Sequence, residues 1–166
     1  MLALACPAKA ASSDYVRLHV IAADDTAAAQ ALKLEVRDAV LDRARELLKD
    51  AADAESAWRT VLKNVSTLER AARDRALAWG YDGPVRCDAG IFPFPERVYG
   101  EVRVPAGDYR ALRVVIGSGE GHNWWCVLYP SLCVPSEMSS EVPADGPVFY
   151  SAIWNWLRHI FGGDAS

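Results

Sequence analysis

The residues with the strongest chemical potential lie in one stretch, Gly117-Ser-Gly-Glu-Gly-His-Asn-Trp-Trp-Cys-Val-Leu-Tyr-Pro-Ser-Leu-Cys133. Its glycines Gly117, Gly119 and Gly121 invite comparison with a phosphate loop. Such a loop must open directly into a helix N-terminus. Here His122-Asn-Trp-Trp125 follows, and there is no Lys-Ser/Thr pair, so the glycines read as a tight turn with unusual backbone angles. His122 and Cys126 are the types of a thiol nucleophile and its base. A thiol enzyme also needs a depressed thiol pKa and an orienting third group, and Asn123 is too close in sequence for a conventional triad. A zinc site of His122, Cys126 and Cys133 lacks a fourth ligand and the usual short cysteine spacing. The expectation is therefore no catalytic residue, no metal and no cofactor.

Cys126 and Cys133 flank Val-Leu-Tyr-Pro-Ser-Leu, in which Pro130-Ser131 is turn chemistry able to bring the two ends within disulfide reach. Three states stay open for this pair: a disulfide, a buried reduced pair, or a pair too far apart to bond. A disulfide implies an oxidising compartment. Trp124 and Trp125 are adjacent, so in an extended segment they point to opposite sides. One indole then enters the core while the other stays at a surface, where tryptophan is enriched in interaction hot spots. Burial of both beneath loops is the alternative. His19 reads as a hydrogen-bonded structural histidine, and Asp24, Asp25 and Thr26 as N-cap candidates for the helix that follows. Cys6 and Cys87 belong to none of these patterns.

The elements that must carry this stretch follow from periodicity. Tyr15–Ala22 alternates as a strand, with Val16, Leu18 and Val20 on one face and Arg17, His19 and Ile21 on the other. Ala27–Asp50 has helical spacing. A second helix, capped by Asp53, carries a stripe from Trp58 to Trp79 and ends at Gly80. The short connection predicts an antiparallel helical hairpin. Val85–Ala89 is a short strand, and Phe92-Pro-Phe-Pro95 suits an edge or a loop. Arg97–Val104 and Tyr109–Ile116 read as strands around a hairpin-like turn at Pro105–Asp108. The expectation is an α+β fold, an antiparallel sheet covered on one face by the two-helix hairpin, in the order β-α-α-β-β-β. Pro135–Pro147 reads as a linker. Phe149–Phe161 reads as a C-terminal aromatic helix that docks on the domain or lies at a membrane boundary. The predicted partition is a tail or export-signal remnant over 1–13, the α+β domain over 14–134, a linker over 135–147 and the aromatic helix and tail over 148–166.

The totals set outer limits. The chain has 166 residues, the size of one modest domain, with 51% hydrophobic and 24% charged residues. A net charge of −4 argues against nucleic acid as a partner, because no excess of cations is available for phosphates. No apolar run approaches the roughly 20 residues of a membrane span. Met1–Pro7 lacks the basic start and the apolar stretch of about 7–15 residues of a secretory signal. It reads as a plain tail or as the end of an export signal.

Several ordered motifs carry a family resemblance. The stretch Gly117–Cys133 resembles the hallmark of stage II sporulation protein R. Arg17-Leu-His-Val-Ile-Ala22 resembles that family's first strand, and Gln30–Val40 its first helix. Phe94-Pro-Glu-Arg-Val-Tyr-Gly100 and Pro105–Val114 resemble its central strands, so the likeness runs from about Tyr15 to Val134. The resemblance implies a protein made in the forespore of endospore-forming bacteria and exported to the space between the two septal membranes. There such proteins trigger a membrane-embedded aspartic protease that cleaves the precursor of sigma factor E. It implies a signal and not an enzyme, working close to a membrane surface. His122, Asn123, Trp124 and Trp125 are the expected partner contacts. The family's apolar export segment is matched here by Leu2–Cys6 alone. Other classes considered are a thiol- or zinc-dependent hydrolase at His122/Cys126 and an envelope-binding module with tryptophan platforms.

Overall fold

The computed structural model describes residues 12–131. Residues 1–11 of the predicted tail, the linker and the aromatic helix Phe149–Phe161, together with Cys6 and Cys133, lie outside the described residues, and Ser12 and Ser13 of that tail open the first strand. Along the chain run β1 (Ser12–Ile21), α1 (Ala27–Leu48), α2 (Ala54–Lys63), α3 (Val65–Ala78), β2 (Val85–Phe94), β3 (Arg97–Tyr99), β4 (Val102–Val104), β5 (Gly107–Ile116) and β6 (Asn123–Tyr129). The class is α+β, with three helices and a mixed sheet among the described residues.

The sheet order is β2-β5-β1-β6. The pairings of β2 with β5 and of β1 with β6 are antiparallel, but β1 and β5 run parallel, with Leu18 beside Leu112 and Val20 beside Val114. This corrects the expected all-antiparallel sheet and the order β-α-α-β-β-β. The physical reason is that the helices carry the chain across to the far edge, and β5 returns into the gap beside β1. Alternation within a strand records which face is buried, not the direction of its neighbour.

Two local expectations also change. Arg97–Val104 does not pair with Tyr109–Ile116. It folds on itself as the hairpin β3–β4 around Gly100, whose φ is +58°. The second predicted helix is divided at Asn64, whose backbone leaves helical geometry at φ −118° and ψ 17°. Its side chain returns a hydrogen bond to the Thr60 carbonyl at 2.8 Å, which competes with helix continuation. Phe92–Phe94 continues β2, and β2 is an outer strand, which suits Pro93.

Helix starts follow their caps. Thr26 accepts from the Ala29 amide, and Asp53 with Ser56 forms a reciprocal capping box. Gly80, at φ +94°, follows α3 as a left-handed stop. α1 and α3 pack antiparallel, and Arg75 near the end of α3 reaches Glu35 near the start of α1 at 3.3 Å.

The two sheet faces differ in content. Val16, Leu18, Val20, Leu112, Val114 and Ile116 are fully buried towards the helices. The register puts Trp124 and Arg110 on this face, and they meet Arg37 of α1 and Glu55 of α2. Arg17, His19, Tyr109 and Trp125 project to the other face, where Phe94 and the β3–β4 hairpin cover them. No helix of the described residues is long and apolar enough to cross a membrane.

Candidate functional site

The loop Gly117–Gly121 folds directly against the loop joining β1 to α1. The amide of Glu120 donates to the Ala23 carbonyl at 3.2 Å and that of Gly121 to the Ala22 carbonyl at 3.0 Å. Ser118 Oγ donates to the same Ala23 carbonyl at 2.7 Å. Gly117 and Gly119 donate to Pro84 and Ile116. Four of the five loop amides are thus spent within the protein, and no run of successive free N–H groups remains as a phosphate nest. Gly117 and Gly119 have φ of +60° and +70°. Gly121 is needed for closeness: a Cβ there would lie 2.2 Å from the Asp24 carbonyl oxygen.

This contact brings Asp25, at the threshold of α1, to His122 at the threshold of β6. Asp25 Oδ1 accepts from the His122 amide at 2.7 Å and also contacts the ring Nδ1. Lys33 donates to the His122 carbonyl at 3.1 Å and to Gln30 Oε1 at 2.6 Å. Burial lowers the Lys33 pKa to about 8, with Asp25 opposing the shift and Arg37 adding to it. His122 is fastened at its amide, its carbonyl and its ring, yet its side chain is 75% exposed.

β6 then alternates. Trp124 turns to the helix face, where Arg37 lies 4.3 Å above its ring. Trp125 turns to the opposite face, stacks on His19 at 3.8 Å between centroids and meets Phe94 edge-on at 4.9 Å. Asn123 is exposed and bonds His19 Nε2 through Oδ1 at 2.7 Å. That bond requires the proton on His19 Nε2, and burial holds the imidazole pKa below its ordinary value. Beneath them Arg17 is fully buried, lies 4.3 Å from the Phe94 ring, and donates to Tyr99 Oη at 2.8 Å and to the Cys126 carbonyl at 3.2 Å. Its Nη1 has no hydrogen-bond partner, and burial lowers the guanidinium pKa.

The four expected contact residues therefore do not share one surface. His122 and Asn123 are exposed, whereas both tryptophans are half-buried and wedged against opposite faces. Cys126 is fully buried, and the His122 ring engages Asp25 instead. Among the described residues no three His, Cys, Asp or Glu side chains converge as metal ligands. Sequence reasoning missed Asp25, Lys33, Arg17 and Tyr99 as parts of the site. Only Asp25 left a signal, as the second of two adjacent acids where Thr26 already supplies the helix cap.

A family model described as stage II sporulation protein R matches residues 12–139. The chain is 34% identical over 118 residues to stage II sporulation protein R of Bacillus subtilis (strain 168), covering 71% of this chain and 53% of that protein. The chain thus spans about half the length of the curated relative it matches. No solved structure matches.

Proposed function

We propose, because the chain belongs to the stage II sporulation protein R family, that its sporulation role is that of an exported signal. In this reading it leaves the forespore for the intermembrane space. There it triggers a membrane-embedded aspartic protease, which processes the sigma-E precursor. A signal of this kind acts through its differential affinity for the active state of its receptor. The observation that carries the reading is the sequence hallmark forming an anchored loop and outer strand that present His122 and Asn123 at the surface.

The other classes find less support. A thiol hydrolase needs an accessible Cys126 beside His122, but the thiol position is buried and the ring is engaged elsewhere. An envelope-binding module needs exposed aromatic platforms, but Trp124 and Trp125 spend their faces on Arg37, His19 and Phe94.

The Cys126–Cys133 disulfide belongs to the same reading. It is supported by the burial of Cys126 and by Cys87 being the free cysteine among the described residues. Non-reducing alkylation and peptide mapping should recover residues 126 and 133 in one cross-linked species. Alkylation of both thiols would overturn that pairing.

The signalling reading is tested by co-expressing three proteins in a non-sporulating bacterium: the chain behind an export segment, the membrane protease and the sigma-E precursor. Cleavage of the precursor should require the exported chain and fall in the double variant His122→Ala/Asn123→Ala. Equal cleavage without the chain would overturn it. The exposed pair is the cleaner probe, because Trp→Ala at 124 or 125 also removes packing.

A further inference from the structure

We propose that Asp25 is a positioning residue that presents His122 Nε2 to the partner as a hydrogen-bond acceptor. The inference rests on the signalling reading above and adds the chemistry of its contact. One carboxylate oxygen, Asp25 Oδ1, serves His122 twice, accepting from its amide at 2.7 Å and engaging its Nδ1. A carboxylate only accepts, so the neutral ring must carry its proton on Nδ1. The remaining lone pair then sits on Nε2. That atom has no hydrogen-bond partner among the described residues, and the side chain that bears it is 75% exposed.

The mounting is stiff for a surface histidine. Lys33 holds the His122 carbonyl, and Gln30 links Lys33 to Asp25, accepting from Lys33 Nζ at 2.6 Å and donating to Asp25 Oδ1 at 3.3 Å. The next residues enter the ladder, with Asn123 beside Ile21 and Trp124 beside Val20. The imidazole is therefore oriented before any partner arrives, which lowers the ordering cost of forming a contact. His19 nearby shows the opposite arrangement. Its Nε2 proton is used inwardly on Asn123, leaving His122 as the outward-facing imidazole of the pair. A partner group that fits is a hydrogen-bond donor, such as a backbone amide, a hydroxyl or a side-chain amide. A partner carboxylate does not fit the neutral ring in this orientation.

The test uses the full chain, isotope-labelled, with nitrogen NMR of the imidazoles at about pH 8, where an ordinary imidazole is neutral. Wild type should show His122 protonated on Nδ1. Asp25→Ala should release that preference. Asp25→Asn, whose Oδ1 still accepts, should retain it. In the co-expression assay, Asp25→Ala and His122→Ala should each lower precursor cleavage about tenfold, the worth of one good hydrogen bond. Asp25→Asn should stay near wild type, and the Asp25→Ala/His122→Ala double variant should be no worse than either single one. A wild-type ring protonated on Nε2, or one indifferent to Asp25→Ala, overturns the proposal. So does cleavage that needs the chain but ignores His122→Ala, an outcome that leaves the signalling reading standing. Cleavage without the chain overturns that reading itself.

Discussion

Gly121 shows how a single missing side chain sets the site. Its α-carbon lies so close to the β1–α1 loop that a methyl group would meet the Asp24 carbonyl oxygen at 2.2 Å and the carbonyl carbon at 2.6 Å. Both are backbone atoms, so they cannot move aside as a flexible side chain would. Gly121→Ala should therefore cost about 1–3 kcal/mol, as overpacking does, and lower the thermal midpoint. It should also shift the His122 resonances, because the two loops separate where Asp25 spans them. An unchanged midpoint would mean that the loops slide without penalty. At this scale the sequence was legible in part. The three glycines announced a turn. That Gly121 serves close approach, while Gly117 and Gly119 serve positive φ, depends on a loop nearly a hundred positions away. The face assignment of Trp124 and Trp125 followed from simple alternation. Their companions Arg37, His19 and Phe94 did not, because contacts across strands and helices leave no mark on local spacing.

Among the elements, the helices were the more readable. Thr26 and Asp53 sit where start signals belong, and Gly80 where a stop belongs. The capping box of α2 makes a direct prediction. Asp53→Ala removes the acceptor for the Ser56 amide at 2.7 Å and should cost about 1 kcal/mol. Chemical denaturation would read this as a lower midpoint with an unchanged slope. Asp53→Ser should recover most of the loss, since serine caps as well. The break at Asn64 was hidden because the apolar stripe continues through it from Val61 to Val65 and Leu68. Periodicity reports a face, and a face survives a change of helix direction when both pieces pack on one sheet. The hairpin β3–β4 was hidden for a related reason. Pro105–Asp108 carries stronger turn residues than Gly100-Glu101, yet β5 already finds its neighbours in β2 and β1.

At the scale of the whole molecule, a buried cation and a buried thiol oppose each other in alkali. Lys33 has a folded-state pKa of about 8 against an ordinary 10.5. Between those values the unfolded chain binds a proton that the folded chain lacks, so stability rises with pH. Cys87 goes the other way. Burial, with Glu69 and Asp88 adding to it, pushes its pKa up from 9.0 to about 12. The folded chain holds that proton longer, so stability falls with pH above 9. From pH 8 to 9 Lys33 acts without this opposition, and denaturation midpoints should climb. Lys33→Met should flatten the climb in this window. A climb that persists in the variant would assign it to another group. The sheet order has a further consequence, for the chain as it is made. β1 leaves the ribosome early but lies between β5 and β6, more than eighty residues later in the chain. Its backbone groups have no native ladder partner until those strands exist, and such long-range pairing is slow. A nascent chain of this protein thus lacks one ladder partner of β1 until the segment bearing His122 arrives. Among the described residues, the last strand to emerge completes both the sheet and the surface that it displays.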